Sequence, residues 1–88
     1  MIPAWLSRRR NAYRACFLDE HGELTTEGER VLRDLARFCG AHRSNFSPDP
    51  QTTAFREGRR EVFLRIAEPL RLTEAHYRTF MEPEPNND

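Results

Sequence analysis

The chain contains no lysine: all fourteen of its basic residues are arginine. They are matched by fourteen acidic residues, so the formal charge is zero, and the excess positive field of a general polyanion binder is missing. Arginine carries a planar fork that pairs bidentately and stacks, which suits contact surfaces better than a lysine ammonium does. An arginine-favouring codon usage produces the same composition, and the two readings are compatible. Apolar residues are also scarce, at 38% with a mean hydropathy of −0.83. No run approaches the ~20 apolar residues of a membrane-spanning helix, and no leader pattern is present, so no membrane association is expected. Only two cysteines occur, Cys16 and Cys39, too few for a disulfide framework; reduced thiols in a cytosol are the expectation. A glycine-rich phosphate loop is lacking, as is any local grouping of nucleophile, base and orienting acid. The chain is short for enclosing a substrate pocket, so neither enzymatic activity nor a cofactor is expected.

What remains is a pattern of helices. A chain of 88 residues buries only about 60% of the surface its unfolded form exposes, so a single small core is expected over 1–81. The polar, proline-rich segment 82–88 reads as a disordered acidic tail. A first helix is predicted over 3–17, with Pro3 at its first position. A second starts at Thr26-Glu27-Gly28-Glu29, which fits a capping box with Thr26 as cap. Its apolar residues Val31, Leu32, Leu35, Phe38 and Cys39 share one face, and Gly40 stands where a left-handed C-terminal residue belongs. Ser47-Pro48-Asp49-Pro50 stops the chain and restarts it, with Asp49 as cap of a third helix that runs to about residue 68 and points Phe55, Val62, Phe63, Ile66 and Leu70 inward. Pro69 ends or kinks that helix, and Thr73 caps a short fourth. The expected fold is all-α: a small helical bundle of three main helices plus a short C-terminal helix. The second and third helices form its antiparallel centre.

Three groups of residues invite a functional reading. Cys16, His21, Cys39 and His42 are zinc-ligand types, but their spacing matches no common finger, and a thiol on an apolar helix face acts as a small hydrophobe. Arg8-Arg9-Arg10, with Trp5, Leu6 and Tyr13 on the same predicted helix, is either a solvated face, a contact surface for a protein, or a grip for nucleic-acid phosphates. The nine-residue connection between the second and third helices, with its prolines, excludes a helix-turn-helix. In the third helix, Phe55, Gly58, Arg59 and Val62 read as a packing seam. Gly58 would admit a neighbouring helix, and Arg59 would be a partly buried cation reaching Asp34 or Glu29.

Taken together, Val31-Leu32-Arg33-Asp34-Leu35-Ala36-Arg37-Phe38 and Thr53-Ala54-Phe55-Arg56-Glu57-Gly58-Arg59-Arg60-Glu61-Val62-Phe63-Leu64-Arg65-Ile66 carry a resemblance. The chain resembles a family of small tailed-bacteriophage proteins, first named from a Bordetella podophage. Its members pair a VLxDLxxF helix with a TAFxEGRRxVxLxI helix across a loop with an acidic-proline turn. The likeness covers roughly residues 11–72 and leaves the arginine run and the last part of the chain outside. It implies a phage protein located in the cytoplasm of an infected bacterium or in the virion. The expected function is non-enzymatic: a virion component or morphogenesis factor that contacts a protein partner or a second copy of itself. The interface is expected at Trp5, Leu6, Arg8, Arg9, Arg10 and Tyr13. The alternative is a small regulator that binds DNA or a host protein through the first helix.

Overall fold

The computed structural model describes residues 1–41 and 43–82. It contains four α-helices: α1 (Ala4–Phe17), α2 (Thr26–Phe38), α3 (Pro50–Ala67) and α4 (Glu74–Met81). A 3-10 turn, Glu68–Leu70, links α3 to α4. The only extended pairing among the described residues is an isolated antiparallel bridge between Leu18 and Leu24. The fold is therefore all-α, as the sequence predicts. Of the tail expected over 82–88, all but Glu82 lies outside the described residues.

Short polar side chains set the helix starts. Thr25 caps α2, its hydroxyl accepting the Gly28 amide at 2.9 Å, so the cap lies one residue before the predicted Thr26. Glu27 and Glu29 in the first turn favour the positive end of the helix dipole. Asp49 caps α3 by accepting from the Gln51 amide and the Thr52 hydroxyl, and Pro50 begins the helix. Thr73 and His76 form a reciprocal capping box on α4, with His76 Nδ1 accepting the Thr73 amide at 3.0 Å. At the other end of α2, Gly40 has φ +63°, its amide bonds Arg37 O and the Ala41 amide bonds Ala36 O. That is a Schellman motif, and it satisfies carbonyls the helix itself cannot.

The core consists of Leu32, Ala36, Cys39, Phe63, Ala67, Leu70 and Phe80, rimmed by half-buried residues that include Tyr13, Phe17, Leu24, Leu35 and Ile66. Tyr77 stands edge-on to both Phe63 and Phe80, at centroid distances of 6.4 and 6.1 Å. The principal partner of α2 is α4, not α3; α1 lies on the 3-10 turn and on α2, and α3 joins through the same turn. The predicted central pair of α2 and α3 is thus replaced. The side of α2 that carries Gly28, Leu32, Arg33 and Ala36 is the buried one. On α3, burial is confined to Phe63 and Ala67 near the C-terminal end. The shortest dimension of the molecule is 20 Å, about two helix diameters.

Two features place the helices. Gly28 is buried where α2 crosses the end of α1: a Cβ there would lie 2.7 Å from the Phe17 carbonyl oxygen and 3.2 Å from Phe17 Cα. The second feature is a set of arginines that donate to main-chain carbonyls of other elements. Arg33, only 5% exposed, bonds Thr79 O in the last turn of α4 at 3.2 Å and also pairs with Glu29 at 3.2 Å. Arg37 bonds Glu82 O at 2.7 Å, just past the same helix end. Arg14 bonds Pro69 O at 3.0 Å in the 3-10 turn. Helix C-termini leave carbonyls without partners and carry partial negative charge, so a guanidinium fits both needs.

Candidate interaction surface

Several residues expected inside the fold are on its surface. Phe55 is 62% exposed and Val62 55%, and no heavy atom lies within 4 Å of a Cβ built on Gly58. The predicted seam is therefore corrected: Phe55 and Val62 are exposed, and no neighbouring helix approaches Gly58. On α2, Val31 and Phe38 are likewise exposed. The physical reason is rotation. α2 turns its small residues toward α1 and α4, and this swings Val31 and Phe38 outward.

Arg59 connects the two exposed stripes. Its guanidinium lies 4.6 Å from the centroid of the Phe38 ring and 5.2 Å from that of Phe55. It also donates to the Phe38 carbonyl oxygen at the C-terminal end of α2. Arg59 is half-buried, as expected of a snorkelling cation, but its partners are two rings and a carbonyl rather than Asp34 or Glu29. Glu29 is engaged by Arg33 instead. Phe55, Arg59 and Val62 recur at i, i+4 and i+7 on α3, and Val31 and Phe38 at i and i+7 on α2, so each set shares one helix face. The result is an aromatic and aliphatic surface with a cation fixed in its middle. Phe46, in the loop between α2 and α3, is 76% exposed, and its carbonyl accepts from Arg56 at 3.4 Å.

The loop beneath this surface is tied down. The Ser47 amide donates to Thr53 Oγ1 at 2.9 Å, and the Thr53 hydroxyl donates back to Ser47 O at 3.1 Å. Asp49, the cap of α3, has a displaced titration. Hydrogen bonds from the Thr52 hydroxyl and the Gln51 amide hold its carboxyl below the ordinary value of 3.8.

The first helix divides its candidates. Trp5 (59% exposed) and Arg8 face outward. Leu6, Arg9, Arg10 and Tyr13 are half-buried. The Arg9 guanidinium lies 5.9 Å from the Tyr13 ring centroid, Arg10 pairs with Glu68 at 3.5 Å, and Tyr13 packs against the core. With Arg14 bonded to Pro69, most of the basic run is engaged within the fold, and Arg8 is its outward-facing cation.

The metal-ligand types are dispersed. Cys16 is exposed on α1, which corrects its predicted core-facing position, whereas Cys39 is buried as expected. His21 sits in the loop after α1, 3.5 Å from Glu20. His42 lies outside the described residues. No group of three or more His, Cys, Asp or Glu side chains that could hold a metal occurs among the described residues. No helix among them is long and apolar enough to cross a membrane.

The sequence model of a protein family, described as Bbp19-like phage protein, matches residues 13–82. The match takes in α2, α3 and α4 and the last part of α1, and it leaves out Trp5 and the run Arg8 to Arg10. No curated protein and no solved structure matches the chain.

Proposed function

The chain belongs to the Bbp19-like phage protein family, and from that premise we propose that it is a non-enzymatic phage protein that works by protein–protein contact, as a virion component or morphogenesis factor. The observation that carries this reading is the uncovered α2–α3 face, where Arg59 lies between the exposed rings of Phe38 and Phe55. Aromatic residues and arginine dominate the energetics of protein contacts, and here they are contiguous. An arginine already held between two rings loses little further freedom when a partner covers it. Trp5, exposed on α1, and Ile2, exposed just before that helix, supply a second apolar element.

This proposal moves the main contact from the first helix to α2 and α3. The alternative, a DNA-binding or host-protein-binding regulator using the first helix, has less geometric support. Arg9, Arg10 and Arg14 already have partners inside the fold. A helix that grips phosphates gives a steep negative dependence of binding on salt, so DNA binding that is absent at about 50 mM salt removes that alternative.

The test of the leading reading is mass spectrometry of purified particles and their assembly intermediates. The protein is expected in one or both. Its absence from all of them would overturn the assembly role.

A further inference from the structure

Arg43, Arg56 and Arg59 converge on one open depression of about 320 Å³ beside the C-terminal end of α2, and among the described residues no carboxylate lines it. Each donates to a main-chain oxygen: Arg43 to Arg37 O at 3.4 Å, Arg56 to Phe46 O at 3.4 Å, Arg59 to Phe38 O. None of the three forms an ion pair among the described residues. The carbonyl end of α2 contributes roughly half a negative charge, against three full positive ones. In a chain whose total charge is zero, this is a local excess of cation.

Surface arginines alone would be ordinary solvated side chains. Asn45 makes the difference. It is 6% exposed, lines the same depression, and its side-chain nitrogen has no hydrogen-bond partner among the described residues. Buried amides are nearly always paired, so an orphan here marks a missing acceptor. Each guanidinium has five N–H groups and donates one bond to a main-chain oxygen. The depression thus has donors to spare and, among the described residues that line it, no anionic acceptor, which describes a seat for an anion.

We propose that this depression binds a carboxylate of a partner protein, presented by a segment whose neighbouring apolar side chain packs on Phe38 and Phe55. The inference rests on the protein-contact reading above and specifies the chemistry of the partner. A carboxylate suits the site better than a nucleic-acid backbone. A phosphate chain needs a continuous basic track, whereas here three arginines form one local cluster in a chain of zero net charge, beside the exposed rings of Phe38 and Phe55. The exposed rings on either side of Arg59 then give the partner's flanking residue an apolar footing.

The experiment is an NMR titration of the full chain with acetyl-Asp-Phe-amide, with acetyl-Asn-Phe-amide, inorganic phosphate and a short single-stranded oligonucleotide as comparisons. The acidic dipeptide is expected to shift the Asn45 side-chain amide and the Nε–H signals of Arg56 and Arg59. The Asn dipeptide should bind about tenfold more weakly, the loss of one charge-assisted contact. Arg56→Gln, an exposed substitution, should weaken the acidic dipeptide by a similar factor without changing the fold. Equal shifts with both dipeptides, or none with either, would overturn the proposal. Tighter binding of phosphate or the oligonucleotide than of the acidic dipeptide would overturn the protein source. A null titration alongside a protein found in particles discards only the carboxylate seat. A protein missing from particles that still binds the acidic dipeptide discards only the assembly role.

Discussion

Gly28 of α2 lies directly against the main chain of Phe17 at the end of α1, and a methyl group at position 28 would stand 2.7 Å from the Phe17 carbonyl oxygen. Because the obstruction is backbone, it has no side chain to swing aside. Gly28→Ala is expected to destabilise the fold by about 1–3 kcal/mol, the usual cost of overpacking. Gly58 is the opposite case: helical, exposed and facing open space. Gly58→Ala should stabilise by about 0.5–1 kcal/mol through helix propensity alone. Urea denaturation of the two variants checks both signs in one experiment.

Arg33 is the buried cation of the fold, holding Glu29 and the Thr79 carbonyl through one nitrogen. Arg33→Met removes both bonds and leaves the carbonyl to the Glu82 amide alone. A loss of about 2–3 kcal/mol is expected, the range for hydrogen bonds to charged groups. Arg33→Lys should recover little of it, because an ammonium lacks the planar fork. Arg37→Lys, at an exposed position, should stay within about 0.5 kcal/mol of the parent. Thermal unfolding of the three variants separates these outcomes.

Phe38→Ser and Phe55→Ser address the contact face. Both rings are largely exposed, so stability should fall by no more than about 1 kcal/mol, the scale of an exposed cation–π contact. Partner binding should fall far more, by about 2 kcal/mol or greater for a central aromatic. Particle incorporation of each variant, measured beside its melting temperature, shows whether the two effects separate. Equal loss of stability and incorporation would assign the rings to the fold.

Asp49 ties the start of α3 to the ionised state of one carboxylate. Its folded pKa is depressed, chiefly by the Thr52 hydroxyl and then by the Gln51 amide. The cap is therefore present above the ordinary value of 3.8 and is lost as pH falls through the lower folded value. Amide exchange at Thr53 should quicken in that acid range, since its N–H bonds Asp49 O in the first turn. Asp49→Asn keeps a competent cap without a titrating group, so the acid dependence should disappear.

The helices and their punctuation were legible in the sequence because capping and turn chemistry are local. Asp49, Thr73, Gly40 and Pro69 each act on residues within a few positions of themselves. The inward faces were less legible. On α2 the apolar stripe Val31, Leu35, Phe38 outweighs Gly28 and Ala36 in any hydrophobic count, yet the small residues mark the closest approach. The stripe that looks like a core is partly the exposed surface. On α3 the same reasoning assigned weight to Gly58, whereas the glycine in close contact was Gly28. Arg59 stands out in the sequence as a cation on an apolar stripe, but its partners do not, because two rings on different helices and a carbonyl leave no spacing to read.

The arginines of this chain dock on oxygens that every amino acid possesses. Thr79, Glu82, Pro69 and Phe38 accept these bonds through their main chain, so their side chains are free to change without breaking them. In diverging copies of the protein, the donor is constrained and its receptor position drifts. Paired substitutions, the usual trace of contact in a set of relatives, will therefore be missing where α2 grips α4. A single unchanging arginine, with no partner that varies alongside it, is the record this kind of joint leaves.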